Sequence, residues 1–182
     1  CLRLIKGCPH SCSYCITNRL NGGRVRAVAP ETAIAQMRDA GERFGIGNFL
    51  LYDDYVLYRY PHYLEPFLTQ VEQEGQDAII EFPLGFSAHM ITDELTGLLR
   101  RARVQTVILA LETISDQRRR HMARPNHIRE FLRAVEILRA HGYHGNSLRA
   151  FFLMGLPGQT LDEILRGILF LLHHEIMPSL TT

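Results

Sequence analysis

The chain has 182 residues, of which 46% are apolar, and its formal net charge at pH 7 is +1. This length and composition fit one domain with a substantial buried core, and the near-neutral charge does not indicate nucleic acid or an anionic membrane as an obligatory partner. The longest apolar stretch, residues 164–172, is too short to span a bilayer, and we expect no signal peptide. We therefore expect a cytoplasmic protein with reduced cysteines and no membrane partner.

Short apolar runs alternate along the chain with amphipathic helical patterns, which is typical of an α/β protein with a parallel sheet. The predicted strands are residues 2–6, 49–52, 78–82, 104–111 and 148–154, and a sixth strand begins near Pro178. Five helices are predicted from apolar spacing and end signals. Their signals are Pro30 and Gly45, the spacing in 64–71, the cap Thr92, the pair Asn126 and Gly142, and a capping box of Thr160 with Glu163.

Three cysteines stand close together directly after the first predicted strand. Cys8, Cys12 and Cys15 have the spacing C-x3-C-x2-C, and thiolates are the usual protein ligands of iron–sulfur clusters. Three thiolates would leave one iron of a 4Fe-4S cluster open, which suits a cluster that binds and activates a small molecule. Cys1 would lie about 23 Å from Cys8 at the far end of an extended strand, so we predict that Cys1 is a small buried apolar residue rather than a fourth ligand.

Two other functions remain open for this loop. The three cysteines and His10 have the donor set of a structural Cys3His zinc site, although zinc motifs usually consist of two separated ligand pairs and no second pair is present. A non-catalytic iron–sulfur module, such as an electron carrier or a degenerate scaffold, is the other alternative, but electron carriers usually supply four thiolates. The spacing and number of the cysteines do not indicate a disulfide framework.

The cysteine loop resembles that of the radical S-adenosylmethionine (SAM) enzymes, in which an aromatic residue precedes the last cysteine, as Tyr14 does here. The resemblance implies a partial parallel (β/α)6 barrel with about five βα units, and a core domain over residues 1–182 that is truncated at both ends. It also implies that SAM completes the open iron and that a donor such as flavodoxin or ferredoxin reduces the cluster. Reductive cleavage of SAM then yields a 5′-deoxyadenosyl radical, which abstracts hydrogen from an unknown substrate.

Polar residues follow the carboxyl ends of the predicted strands, where parallel βα architectures bind their ligands. Asp53 and Asp54 follow the second strand, Ser87 the third and Glu112 the fourth, and a turn that begins at Gly155 follows the fifth. A buried zwitterionic cofactor requires polar groups of this kind. We therefore predict that these residues bind the cofactor, together with Tyr14.

The resemblance suggests a role for the carboxylates in this set. Asp53 or Asp54 would accept a hydrogen bond from the SAM ammonium, and an ordinary acidic loop is the alternative. The turn 52–55 departs from the Gly-Gly-Glu-like turn of most members and resembles the Asp-Asp-x-Phe turn of the cobalamin-associated branch. Glu112 would contact the SAM ribose, with a structural salt bridge as the alternative.

Arg124 matches the arginine that clamps the methionine carboxylate in oxygen-independent coproporphyrinogen oxidases, with a solvated arginine beside the run 118–120 as the alternative. The glycines of the turn 155–158 let the backbone approach adenine. Those oxidases have an acidic residue where this chain has Phe151, which favours the cobalamin-associated and methylthiotransferase-like branch. Cobalamin would then be bound by a domain absent from this chain. A methylthiotransferase acting on RNA is a narrower alternative that the near-zero charge does not support.

A truncated sixth unit would also affect the fifth. We expect strand five to have an unpaired edge, which invites association or local disorder. We also expect part of the fifth helix to be exposed, namely Ile164, Leu165, Ile168, Leu171 and Leu172.

Overall fold

The structure, a computed structural model, describes residues 1–74, 78–123 and 127–182. Its strands are β1 (Ile5–Lys6), β2 (Arg26–Ala27), β3 (Asn48–Leu50), β4 (Ile79–Glu81), β5 (Phe86–Ser87), β6 (Val107–Glu112), β7 (Gly145–Leu153) and β8 (Ile176–Thr181). Its α-helices are α1 (Thr17–Leu20), α2 (Pro30–Phe44), α3 (Leu64–Glu74), α4 (Asp93–Arg101), α5 (Asp116–His121), α6 (Ile128–Ala140) and α7 (Leu161–His173). None of the helices in these ranges is long and apolar enough to cross a membrane.

Parallel pairing connects successive segments of the chain from its first apolar run to β8. Leu2 bridges Leu51 beside β3, β3 pairs with β4, and Ile80 of β4 bridges Val104. Beyond them β5 pairs with β6, β6 with β7, and β7 with β8, all in parallel. Within the described ranges no pairing joins β8 back to the first segment. The predicted α/β class with an open, partial barrel is therefore confirmed.

The strands form because their side chains are buried against helices that follow each strand. Five of the six residues of β6 are buried, which explains its almost uninterrupted apolar sequence. Tyr143, which follows α6, donates its hydroxyl to the carbonyl of Val104 at 2.8 Å and so ties the helix end to the sheet. Helix α7 packs closely against β7 at Gly167, where an added Cβ would lie 2.1 Å from the Phe152 ring.

Most of the predicted helix ends agree with the structure. Pro30 begins α2, and the C-cap Gly45 takes the left-handed φ of 65° that glycine accommodates. The Thr92 hydroxyl accepts a hydrogen bond from the Leu95 amide at 3.2 Å and caps α4. Helix α6 begins at Ile128, and Asn126, its predicted start, lies outside the described residues.

Three expectations about the chain ends are corrected by the structure. The sixth strand predicted near Pro178 is present as β8, and its pairing with β7 means that the expected unpaired edge of β7 is wrong. On α7, Leu171 is buried, contrary to expectation, whereas Ile164 and Ile168 are half-buried and Leu165 and Leu172 are exposed, in agreement with it. Cys1 is exposed rather than buried, since it precedes the first bridged residue, Leu2.

Three local features were not predicted. Strand β2, which follows the cysteine loop and α1, pairs with β1 in the antiparallel sense. The third predicted strand corresponds to β4, which pairs with β3. A separate short strand, β5, follows it and pairs with β6. Helix α5 is absent from the prediction, although Ser115 caps it by accepting a hydrogen bond from the Arg118 amide at 3.3 Å.

Candidate functional site

The cysteine loop is held at its start by the turn that follows the second parallel strand. The Gly7 amide donates to Asp54 Oδ2 at 2.6 Å, and the Asn18 side chain donates to the Cys8 carbonyl at 3.1 Å. Gly7 has a φ of 95°, and a Cβ placed on it would stand 2.1 Å from the Arg24 carbonyl oxygen. The backbone crossing before Cys8 therefore requires glycine at this position.

The far side of the cysteine loop rests on the carboxyl end of α5. The Ser13 amide donates to the Met122 carbonyl at 3.1 Å, and its hydroxyl donates to the His121 carbonyl at 3.4 Å. The Cys12 thiol lies 3.9 Å from the Ala123 carbonyl. Because the last carbonyls of a helix have no partners within it, the end of α5 offers acceptors to the loop.

The three predicted metal ligands lie on this loop with different exposures. Cys8 is half-buried, Cys12 is buried and Cys15 is exposed, and none of them forms a disulfide. A cavity of about 210 Å³ lies beside Cys12 and Cys15 and is also lined by Ser11, Ser13 and Asn18. Among the described residues no three Cys, His, Asp or Glu side chains are close enough together to hold a metal ion. The donor set itself, three thiols on one short loop, is the kind that iron–sulfur clusters use.

Asp53 and Asp54 both bind the backbone of the segment that leads into the cysteine loop. Asp53 is 2% exposed, and its Oδ1 accepts from the amides of Leu4 at 2.8 Å and Ile5 at 3.0 Å. Its Oδ2 has no hydrogen-bond partner. Burial raises the pKa of Asp53 from 3.8 to about 6, against the lowering effect of the two backbone hydrogen bonds and of Arg3. These contacts show a structural function, and a contact with SAM stays a prediction.

Ser87 and Glu112 stand at the carboxyl ends of two adjacent strands. Ser87 is buried in β5 opposite Ala110 of β6. Glu112 is buried at the end of β6, where the pairing with β7 shifts register, and its φ is 68°. A residue other than glycine with this backbone conformation is uncommon and costs on the order of 1–3 kcal/mol. The fold thus places a buried carboxylate at the end of β6, where the sequence analysis predicted a cofactor-binding residue.

The turn at residues 155–158 is held by Arg118. The sequence alone indicated only that this residue belongs to a run of solvated arginines. The guanidinium donates from Nε to Glu163 Oε1 at 2.6 Å, from Nη1 to the Pro157 carbonyl at 2.8 Å and from Nη2 to the Gly158 carbonyl at 2.6 Å. The predicted capping box of α7 is consequently only half formed. Thr160 accepts from the Glu163 amide at 3.2 Å, while the carboxylate of Glu163 binds Arg118 instead of the Thr160 backbone.

Arg119 differs from both of its neighbours. It is 4% exposed and pairs with Asp116, whereas Arg120 is exposed. Burial, followed by the charge of Arg120, lowers the pKa of Arg119. The sequence signal that marks this segment is the Ser115 cap with Asp116 in the first turn, which indicates a short helix whose successive side chains point in different directions.

A cleft of about 620 Å³ separates the cysteine loop from the turn after β7. Ser13 and Tyr14 line one side, and Leu156, Pro157 and Gly158 line the other. Side chains of α5, including Arg118, and Glu163 of α7 complete it. The structure therefore brings the predicted residue Tyr14 and the turn beginning at Gly155 to one cleft. Gly155 itself, the three cysteines, Glu112, Ser87 and the two aspartates do not line this cleft, and Arg124 lies outside the described residues.

Comparison with known proteins gives the following matches. The family model described as the Radical SAM superfamily matches residues 2–171. The ribosomal protein uS12 methylthiotransferase RimO of Heliobacterium modesticaldum is 26% identical over 175 residues, which cover 93% of this chain and 38% of that protein. The radical SAM methyltransferase TsrM from Kitasatospora setae, solved with tryptophan substrate and a SAM analogue, has a TM-score of 0.80 at 14% identity and covers 99% of this chain and 35% of TsrM.

A second solved structure, the cobalamin-dependent radical SAM enzyme OxsB with aqua-cobalamin and SAM bound, has a TM-score of 0.70 at 18% identity. It covers 93% of this chain and 26% of OxsB. The chain therefore spans less than two fifths of the length of each of these three proteins.

Proposed function

The chain belongs to the radical SAM superfamily, and we propose that it holds a 4Fe-4S cluster on the cysteine loop and binds SAM at the carboxyl ends of its parallel strands. The predicted likeness to the methylthiotransferase-like and cobalamin-associated branch agrees with the three relatives. The observation that supports the proposal is the placement of Ser13 and Tyr14, which lie between the second and third cysteines, across a 620 Å³ cleft from the turn after β7. A small cofactor that spans this cleft would touch both.

Cys8, Cys12 and Cys15 would hold the cluster, and one iron would remain open to the amino and carboxylate groups of SAM. When bound, the reduced cluster supplies one electron to the SAM sulfonium, and the protein supplies ligation and orientation. Asp54 serves this arrangement by fixing the Gly7 amide immediately before the first ligand. The α5 carbonyls serve it by holding Ser13, which lies between the second and third ligands.

The cleft suits the flat heterocycle of SAM. Tyr14 offers an aromatic side chain on one wall, and the backbone of residues 156–158 forms the other wall. We assign the SAM ribose to Glu112 and the N–H groups of the SAM amino group to Asp53 or Asp54, with Ser87 nearby on β5 and Arg124 as the partner of the methionine carboxylate. For the two aspartates this requires rearrangement, since Asp54 Oδ2 binds Gly7 and the Asp53 carboxylate is buried.

The reaction on the final substrate is proposed only by class. The relatives named for methylthio or methyl transfer favour a group transfer. In this proposal, hydrogen abstraction by a 5′-deoxyadenosyl radical would precede the transfer. A reductant such as flavodoxin or ferredoxin would supply the electron. Cobalamin would require a further domain, as suggested by the likeness to OxsB.

Anaerobic reconstitution tests the proposal directly. We expect about four irons and four sulfides per chain, and a change in the cluster spectrum when SAM is added. Replacement of Cys8, Cys12 or Cys15 by alanine should prevent cluster loading, because each removes a ligand. Cys1→Ala is the matched control and should load normally, since Cys1 is exposed and precedes the sheet. Stoichiometric zinc in place of iron would instead support the structural zinc site, and a cluster that ignores SAM would support an electron carrier.

A further inference from the structure

We propose that Arg118 is a positioning residue that sets the width of the cofactor cleft by clamping the turn at residues 156–158. The inference deepens the proposed function and rests on it. Arg118 is assigned no contact with SAM and no part in the chemistry. Its task is to keep one wall of the cleft at a fixed distance from the wall that carries Tyr14.

The first support is the number and direction of the hydrogen bonds made by Arg118. Its three nitrogens each have a different acceptor, the carboxylate of Glu163 and the carbonyls of Pro157 and Gly158, at 2.6–2.8 Å. The side chains of Arg118 and Glu163 are only 20% and 21% exposed. Bonds that involve an ionised group are shorter and stronger than neutral ones, so this arrangement restrains the turn more firmly than a surface ion pair.

The second support is the position of α5 between the two walls. Its Arg118 side chain holds the turn after β7, and the carbonyls at its carboxyl end hold Ser13, the neighbour of Tyr14. Both walls of the cleft are therefore attached to the same six-residue helix. Removing the Arg118 contacts would detach one wall and leave the other in place.

The third support is that the turn's own hydrogen bonds, as the described residues show them, leave its position relative to α5 to Arg118. Gln159 accepts from the Leu156 amide at 3.2 Å and donates to the Leu153 carbonyl at 3.0 Å. These bonds fix the internal shape of the turn, whereas Arg118 fixes its position relative to α5. Lysine cannot reproduce this function, because a single ammonium lacks the planar fork that reaches three separated acceptors.

The experiment measures binding of two probes to the reconstituted protein. SAM carries the adenosine that the cleft would receive, while L-methionine carries only the amino and carboxylate groups that bind the open iron. Both are titrated against the cluster spectrum in the wild type, Arg118→Lys, Arg118→Ala and Glu163→Gln. Arg166→Ala is the control, because Arg166 and its partner Asp162 form an exposed pair on the same helix as Glu163, with exposures of 72% and 70%.

We expect the Arg118 variants to load iron normally and to bind SAM about ten- to hundredfold more weakly, with methionine affinity within about twofold of the wild type. Glu163→Gln should show a smaller loss for SAM, and Arg166→Ala none. Unchanged SAM affinity in Arg118→Lys and Arg118→Ala would overturn the inference, as would equal losses for SAM and methionine. If Arg118→Ala fails to load iron, Arg118→Lys and Glu163→Gln decide by the same criterion. A wild type that loads iron but does not bind SAM would refute the proposed function itself.

Discussion

Asp53 makes the stability of the fold depend on pH in a direction opposite to that of most carboxylates. Its pKa is raised from 3.8 to about 6 in the folded chain, so the folded state favours the protonated form. The contribution of Asp53 to stability is therefore complete below pH 3.8 and is lost as the pH rises through about 6. We predict that Asp53→Asn, which stays neutral at every pH, removes this loss.

The magnitude follows from the size of the shift. A rise of roughly two pKa units corresponds to about 3 kcal/mol of unfolding free energy in total. About 2 kcal/mol of this would be lost between pH 4.5 and pH 7.5, since the group is already partly ionised in the unfolded chain at pH 4.5. The hydrogen bonds that Oδ1 accepts from Leu4 and Ile5 remain possible in the asparagine variant.

The assay is urea unfolding of the metal-free chain at a series of pH values. The quantity compared is the change in unfolding free energy with pH, wild type against Asp53→Asn, because other groups also titrate in this range. Asp39→Asn is the matched control, since Asp39 is 58% exposed in a surface pair with Arg43 and should leave the pH profile unchanged. Parallel profiles for the wild type and Asp53→Asn would show that burial does not raise the pKa of Asp53.

Features with local causes could be predicted from the sequence. Pro30, Gly45 and Thr92 act on the residues next to them, so the helix ends that they mark agree with the structure. The strand that becomes β6 could be recognised because both of its faces are buried, which leaves an apolar run with no alternation. The parallel sense of the main strand pairs followed from alternation with helices.

Features that depend on distant contacts could not be predicted. Arg118, Arg119 and Arg120 are chemically identical in the sequence, but successive side chains on a helix point about 100° apart. In the fold one binds the turn after β7, one is buried beside Asp116 and one faces solvent. Likewise, the sequence of the turn that contains Asp53 and Asp54 does not distinguish it from an ordinary acidic loop. Their binding of the first apolar segment becomes visible only when the two strands are placed side by side.

Two remaining predictions concern the predicted cofactor residues and the path of the cysteine loop. Glu112→Gln should load the cluster but bind SAM about ten- to hundredfold more weakly, measured by the same spectral titration, because it would remove the proposed charge-assisted contact with the SAM ribose. Gly7→Ala should prevent stable cluster loading, since an added Cβ would stand 2.1 Å from the Arg24 carbonyl oxygen in addition to the strain at a φ of 95°. Gly23→Ala separates these two causes, because its φ is 68° and nothing lies within 4 Å of its added Cβ. Backbone strain alone costs about 1–2 kcal/mol, so Gly23→Ala should lower the urea midpoint slightly and keep its iron. Equal iron content in both variants would mean that the cysteine loop tolerates displacement at Gly7, and that the close backbone crossing before Cys8 is not what positions the first ligand.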